Sequence, residues 1–267
     1  LGVRITFSQI TELGIQPVLV VFAVVAATLV FSLLIAKLLK IERIPAIIAG
    51  AGVAICGVSA ALAVASVLPS NKETEKHLLC TVVGITGLST IVMVVYPGMM
   101  VSLGFNPEQI GLFLGASIHD VAQVFGAGHM ISDEVGELAT YTKMLRVSML
   151  VPVVLGLGFI YRKAVLESLK LSSAGQGIES LKGAKPTIFP LFLVAFVALV
   201  VLSNLSVIPT ASVAFMGDLS AVCLLVAMAA LGTKTNLIEM WKVGQKPFLL
   251  LLLNTVFIGL LAYLLIQ

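Results

Sequence analysis

The stretch PEQIGLFLGASIHDVAQVFGAG, Pro107 to Gly128, decides how this chain is read. As a helix it is about as long as a bilayer is thick, which takes roughly 20 residues. Yet His119 and Asp120 sit near its middle, where an ionisable group must be paired, protonated or in contact with water. The segment is also rich in Gly and Ala. Small residues let membrane helices approach closely. They equally suit a broken or re-entrant helix whose backbone lines a cavity. The residues alone leave both readings open.

A second stretch has the same character. PAIIAGAGVAICGVSAALAVASVL, Pro45 to Leu68, carries Cys56 and Ser59 at its centre. GVAICGVSA (Gly52–Ala60) aligns with GASIHDVAQ (Gly115–Gln123), with Gly at the first position and Ile at the fourth. The alignment sets His119-Asp120 opposite Cys56-Gly57 in matched elements.

The remaining blocks fall into place around these two. Of 267 residues, 59% are hydrophobic and 11% charged, and the mean hydropathy is +1.13. Soluble domains run at about 45–50% apolar and about 25% charged. Apolar segments cover Pro17–Leu39, Pro45–Leu68, Leu78–Leu103, Pro107–Gly128, Gly136–Ile160, Pro186–Ile208, Gly217–Leu231 and Pro247–Ile266. The expected fold is an all-α polytopic membrane helix bundle forming one transmembrane domain over residues 1–267. Its longest polar connection is the flexible stretch Tyr161–Lys185.

An internal match adds inverted repeats to that expectation. LGVRITFSQITELGIQPVL, from Leu1, and LGTKTNLIEMWKVGQKPFL, from Leu231, share Leu-Gly, a basic residue, a second Gly, Pro and Leu at an offset of 230. An odd number of crossings separates the copies, so they face opposite sides, as in many secondary transporters. Leu231 follows an apolar segment and Leu1 follows none, so the reading expects further N-terminal helices before Leu1.

Charge orients the bundle. If every segment spans, one face collects Lys37, Lys40, Arg43, Arg162, Lys163, Lys170, Lys182, Lys185, Lys234, Lys242 and Lys246, against Arg4, Lys72 and Lys76 on the other, 11 to 3. If both Gly-rich segments are re-entrant hairpins, Lys72 and Lys76 change sides and the split becomes 13 to 1. The acidic connections with Glu108, Asp133, Glu134 and Glu137 then lie together on the other side. The positive-inside rule puts the basic face in the cytoplasm, with the Tyr161–Lys185 loop, and the C-terminus outside.

Two constellations could carry chemistry. A His-carboxylate pair exchanges protons near neutral pH, so His119 and Asp120 are candidates for proton coupling; on a continuous helix His119 and Gln123 would share a face. Lys143 and Arg146, in ATYTKMLRVSMLVP (Ala139–Pro152), lie three apart on one helical face. They either snorkel to the interface or line an anion path, where the planar fork of Arg suits an oxyanion. Free N–H groups of a broken helix would add to such a site. Isolated Asn204, Asp218 and Asn254 fit interhelical hydrogen bonding. The three cysteines, Cys56, Cys80 and Cys223, lack metal-type spacing. No phosphate-binding Gly-Lys-Ser/Thr loop, HExxH or long basic patch occurs, which leaves ATP-driven transport, metalloprotease chemistry, metal and other cofactors, and nucleic-acid binding without a motif.

GAGVAICGVSAALAVA, GASIHDVAQVFGAGHMIS, ATYTKMLRVSMLVP and MAALGTKT, in this order, resemble the YeiH-type bacterial inner-membrane proteins, commonly labelled sulfate exporters. The resemblance covers essentially the whole chain and implies a multi-pass inner-membrane transporter of inverted repeats with interrupted helices. It places Gly52, Cys56, Gly57, Ser59, Ser117, His119, Asp120, Gln123, Lys143 and Arg146 in the motif-bearing core. Members often have Glu where this chain has Asp120.

The expectation is therefore a secondary transporter and not an enzyme. It moves a small sulfate- or sulfonate-like anion, coupled to protons or a cation, and works as a homodimer. Lys143, Arg146, Cys56, Gly57, Ser59, Ser117 and Gln123 would contact the anion. The alternative is a membrane-embedded structural or assembly subunit without transport. Unwound elements meeting beside Lys143 and Arg146 would favour transport; continuous helices would favour packing.

Overall fold

A computed structural model describes residues 15–69, 72–175 and 245–267, together with scattered positions between 198 and 226. The internal repeat of Leu1 and Leu231, the end of the Tyr161–Lys185 loop, Asn204 and Asp218 lie outside the described residues. Among those described, the chain is helical without strands, an all-α membrane helix bundle. Among the described residues, four helical stretches are long and apolar enough to cross a membrane: Gln16–Leu39, Glu73–Ser102, Asp133–Lys163 and Gln245–Ile266.

Helix α1, Gln16–Leu39, starts with Pro17 in its first turn, where the missing N–H costs nothing. It stops at Lys40, left-handed at φ 56°, where Ile41 N–H reaches back to Ala36 O. That closure satisfies carbonyls that would otherwise be orphaned. The first Gly-rich segment follows as two short helices, α2 (Arg43–Ala54) and α3 (Val58–Ala65). Helix α4, Lys72–Ser102, then runs the length of the bundle and ends at Gly104, φ 77°.

The second Gly-rich segment is also two helices, α5 (Pro107–Ser117) and α6 (Val121–His129). Asn106 and Gln109 form a reciprocal capping box at the start of α5, with Pro107 behind them. Helix α7, Asp133–Ser148, is capped by Ser132 and passes at Met149 into α8, Leu150–Gly175. Helix α9, Gln245–Ile266, closes the described chain.

Contacts show where each broken segment turns. Lys40 and Glu42, between α1 and α2, line a cavity of about 330 Å³ with Glu73, Lys76 and His77 of α4 and Lys246 of α9. Helix α4 thus begins at the end of the bundle where α1 stopped, so α2 and α3 leave where they came in. At the opposite end, Gln109 of α5 donates to Ile266 O at the end of α9, 3.0 Å away. A Cβ on Gly111 would meet Leu138, and one on Gly115 would meet Ala139 and Thr142, so α5 and α7 run in the same direction. Gly128, ending α6, lies against Gly136 near the start of α7. Helices α5 and α6 therefore also form a hairpin, entered from the other end. Neither Gly-rich segment is one continuous helix, so His119 lies in a break and shares no helical face with Gln123.

Glycine sets the spacing. A Cβ on Gly115 would stand 2.4 Å from Ala139 O, so α5 and α7 pack backbone to backbone. The apolar interior splits into two clusters. One joins α1, α2, α4, α5, α6, α7 and α9, and the other joins α1, α2, α3, α7 and α8.

Candidate functional site

The two breaks form for different reasons. After Ala54, Ile55 leaves helical geometry (φ −112°, ψ −86°), and Gly57 takes φ 69° and ψ −131°, a conformation natural only to glycine. Gly57 N–H returns to Gly52 O at 2.8 Å, which closes the turn. In the second break Ile118 and Asp120 are extended. There a β-branched residue is followed by His and by Asp, which prefers the cap position to a helix interior. Asp120 accepts from Ala122 N–H at 2.8 Å and starts α6.

The breaks meet. A Cβ on Gly57 would lie 3.6 Å from His119 O. Helices α2 and α5 thus bring their C-terminal carbonyls together from opposite ends of the bundle. Such groups, buried without partners, cost several kcal/mol each in a membrane interior. Lys143 and Arg146, both with no exposed surface, supply the partners. Lys143 Nζ donates to Ile55 O at 2.7 Å and to Ile118 O at 2.8 Å. Arg146 donates from Nε to Ala54 O (3.0 Å), from Nη1 to Gly115 O (3.0 Å) and Ile118 O (2.9 Å), and from Nη2 to Val53 O (2.9 Å).

Both cations thus join the hairpins and lie where the negative ends of two helix dipoles converge. Their three-residue spacing on α7 puts them one turn apart, so each reaches both breaks. Neither snorkels, and neither forms an ion pair with a carboxylate among the described residues. Ammonium and guanidinium offer three and five N–H groups. One of each is left over after the six bonds above.

His119 and Asp120 are neighbours in sequence and not partners in space. His119 Nε2 lies 2.9 Å from Thr255 Oγ1 on α9. The Thr255 hydroxyl also lies 2.8 Å from Leu251 O, and when it turns to that carbonyl the imidazole donates to it from Nε2. In that arrangement the ring is the Nε2–H tautomer, and Nδ1 is buried without a partner. Asp120 is half-buried, its carboxylate turned to its own helix.

The other expected contact residues are mostly engaged. Ser117 donates to Phe113 O at 2.6 Å within α5. Gln123 accepts from Ser89 and donates to Thr90 at 3.1 Å, tying α6 to α4. Ser59 donates to Cys56 O at 3.0 Å, with Cys56 Sγ also 3.0 Å away, and is the exposed residue of the first break. Helix α3 has no side-chain cap, so its first N–H groups remain open beside Gly57. Thr255, Ser89 and Thr90 had no signal in the sequence beyond polarity in an apolar run. Asn254 donates to Ser32 at 3.0 Å, the interhelical bond expected of it. No group of His, Cys, Asp and Glu among the described residues could hold a metal ion.

Comparison with known proteins sets the chain among membrane proteins. The family described as Conserved hypothetical protein 698 matches residues 1–251. UPF0324 membrane protein CT0845 of Chlorobaculum tepidum is 41% identical over 98% of this chain and 70% of its own length. UPF0324 membrane protein TauZ of Paracoccus denitrificans is 40% identical over 97% of this chain and 73% of its own. UPF0324 inner membrane protein YeiH of Salmonella typhi is 34% identical, covering 94% and 68%. No solved structure matches. With this coverage by the family and its relatives, the chain belongs to the UPF0324 family of membrane proteins.

Proposed function

We propose that this protein is a secondary transporter, not an enzyme, that carries a small sulfate- or sulfonate-like anion across the bacterial inner membrane. The observation that carries the reading is the meeting of two oppositely directed broken hairpins around two buried cations that lack a carboxylate partner. An uncompensated buried charge costs several kcal/mol, and a bound anion would offset it. The open N–H groups of α3 and the remaining N–H of Lys143 and of Arg146 would hold the anion. Cys56, Gly57 and Ser59 would form the wall, and Ser117 and Gln123 would support it from behind. His119, with its bare Nδ1, would take the coupled proton. Asp120 would set the charge against which it moves. Helix breaks at such a site let one part of the bundle rock against the other.

The basic end of the bundle, with Lys40, Lys76 and Lys246 around one cavity, would face the cytoplasm. The acidic end, with Glu108 and Asp133 at the starts of α5 and α7, would face outward. One of the relatives is named an inner membrane protein. A homodimer is the proposed assembly.

Tracer flux into proteoliposomes tests the proposal. Lys143→Gln keeps donors for the carbonyls and removes the charge. Sulfate or sulfonate uptake should fall at least about tenfold, the scale of losing a buried charge partner. Uptake unchanged in a folded Lys143→Gln protein would refute the anion role.

The opposing reading, a structural subunit without transport, draws on one observation: six of the eight cationic N–H groups already bind backbone. It requires that the wild-type protein carry no anion at all in the same assay.

A further inference from the structure

The charges gathered at the breaks state how much negative charge the site can take. Four helix ends converge there. Helices α2 and α5 end at it and α3 and α6 start from it. Each end carries about half a charge, negative at a C-terminus and positive at an N-terminus. Two of each sum to nothing.

What remains is on side chains. Lys143 and Arg146 contribute two positive charges, and Asp120 at the cap of α6 contributes one negative. His119 is counted without charge, with Nε2 against Thr255 and Nδ1 buried without a partner. The thiol of Cys56 and the hydroxyls of Ser59 and Ser117 are neutral. Among the described residues the sum at the site is plus one.

We infer that the site is balanced for a cargo carrying one net negative charge, so that Asp120 is a specificity-determining residue which favours a monoanion over a dianion. This rests on the transport reading only for the word cargo, because the balance applies to binding as such. In a site with little water a second charge is not screened. A dianion would leave the centre at minus one, and a monoanion would leave it neutral. An organic sulfonate meets the condition directly. A sulfate meets it only in company with one proton, for which His119 Nδ1 is the vacant position.

Methanesulfonate and sulfate make the comparison, because both present tetrahedral sulfur with oxygens and they differ by one charge. Binding to the purified wild-type protein is measured as anion-dependent thermal stabilisation in detergent at neutral pH and constant ionic strength. Proteoliposome flux of the same two anions is measured in parallel. Asp120→Asn and Asp120→Ser both keep a capping oxygen for Ala122 N–H and delete the charge. Asp120→Glu keeps the charge.

Wild-type protein should bind methanesulfonate at least about tenfold more tightly than sulfate. The two neutral variants should lower that ratio at least about tenfold, and Asp120→Glu should retain it, as expected for one charge in a poorly screened site. Equal or tighter binding of sulfate by the wild type overturns the inference. So does an unchanged ratio in both neutral variants, or no binding of either anion. Selective binding without flux would leave the charge balance standing and refute transport. Flux of both anions with no binding preference would do the reverse.

Discussion

At the scale of single residues, Arg146 and Lys143 are unequal partners. Arg146 satisfies Val53, Ala54 and Gly115 carbonyls that have no other side-chain donor, whereas Lys143 alone satisfies only Ile55. Orphaning a buried carbonyl costs about 1–3 kcal/mol. Arg146→Ala should therefore destabilise the protein more than Lys143→Ala by at least about 2 kcal/mol, read as a lower melting temperature in detergent. The reverse order would contradict the assignment of bonds. Thr255 gives a second residue-level expectation. Thr255→Val keeps the shape and removes the acceptor for His119 Nε2–H. It should cost about 1–3 kcal/mol. Nitrogen NMR of labelled histidine should show one Nε2–H tautomer in the wild type and its loss in the variant. Much of this was hidden in the sequence. That Lys143 and Arg146 matter was legible from two cations three apart in an apolar segment. That they bind carbonyls was not, because every chain position has a carbonyl and only the fold decides which ones lose their helical partners.

At the scale of elements, the two hairpins depend on glycines to different degrees. Gly57 adopts a positive φ that side chains rarely accept, so Gly57→Ala should cost about 1–3 kcal/mol through backbone strain. A methyl group at Gly115 would run into the Ala139 carbonyl, which is backbone and cannot yield without parting α5 from α7. At Gly52 the one contact under 3 Å would be the end of Ile85, a side chain that can rotate away, with Gly57 O next at 3.3 Å. Thermal unfolding should rank Gly115→Ala as clearly more damaging than Gly52→Ala. Equal losses would mean that α5 and α7 are not packed this closely. The aligned GVAICGVSA and GASIHDVAQ stretches marked both breaks, since small residues and central polar groups are poor material for a continuous buried helix. Their chemistry differs, however: one break needs a glycine and the other needs only extended residues and an Asp cap. Pattern alone could not separate a broken span from a hairpin. The separation comes from α5 running alongside α7 and from Lys40 sharing a cavity with Lys76, contacts between residues far apart in sequence.

At the scale of the whole molecule, two hairpins enter from opposite ends and meet at a centre held by a pair of cations. Counting both segments as hairpins also gave the strongest bias of Lys and Arg to one side of the membrane in the sequence. Cysteines placed at Lys40 and Lys76, in a chain whose Cys56, Cys80 and Cys223 are replaced by Ser, should cross-link, since both positions line one cavity. Failure to cross-link would put the two positions at different ends of the bundle. An anion site reached alternately from the two sides would expose this meeting point to each side in turn. In the same cysteine-free chain, Ser59→Cys puts a thiol at the exposed position of the first break. Its rate of modification by a membrane-impermeant thiol reagent is measured from each side of sealed vesicles, with and without methanesulfonate. Modification is expected from both sides, slowed in each case by the anion. Modification from one side only, at a rate the anion does not change, would contradict it.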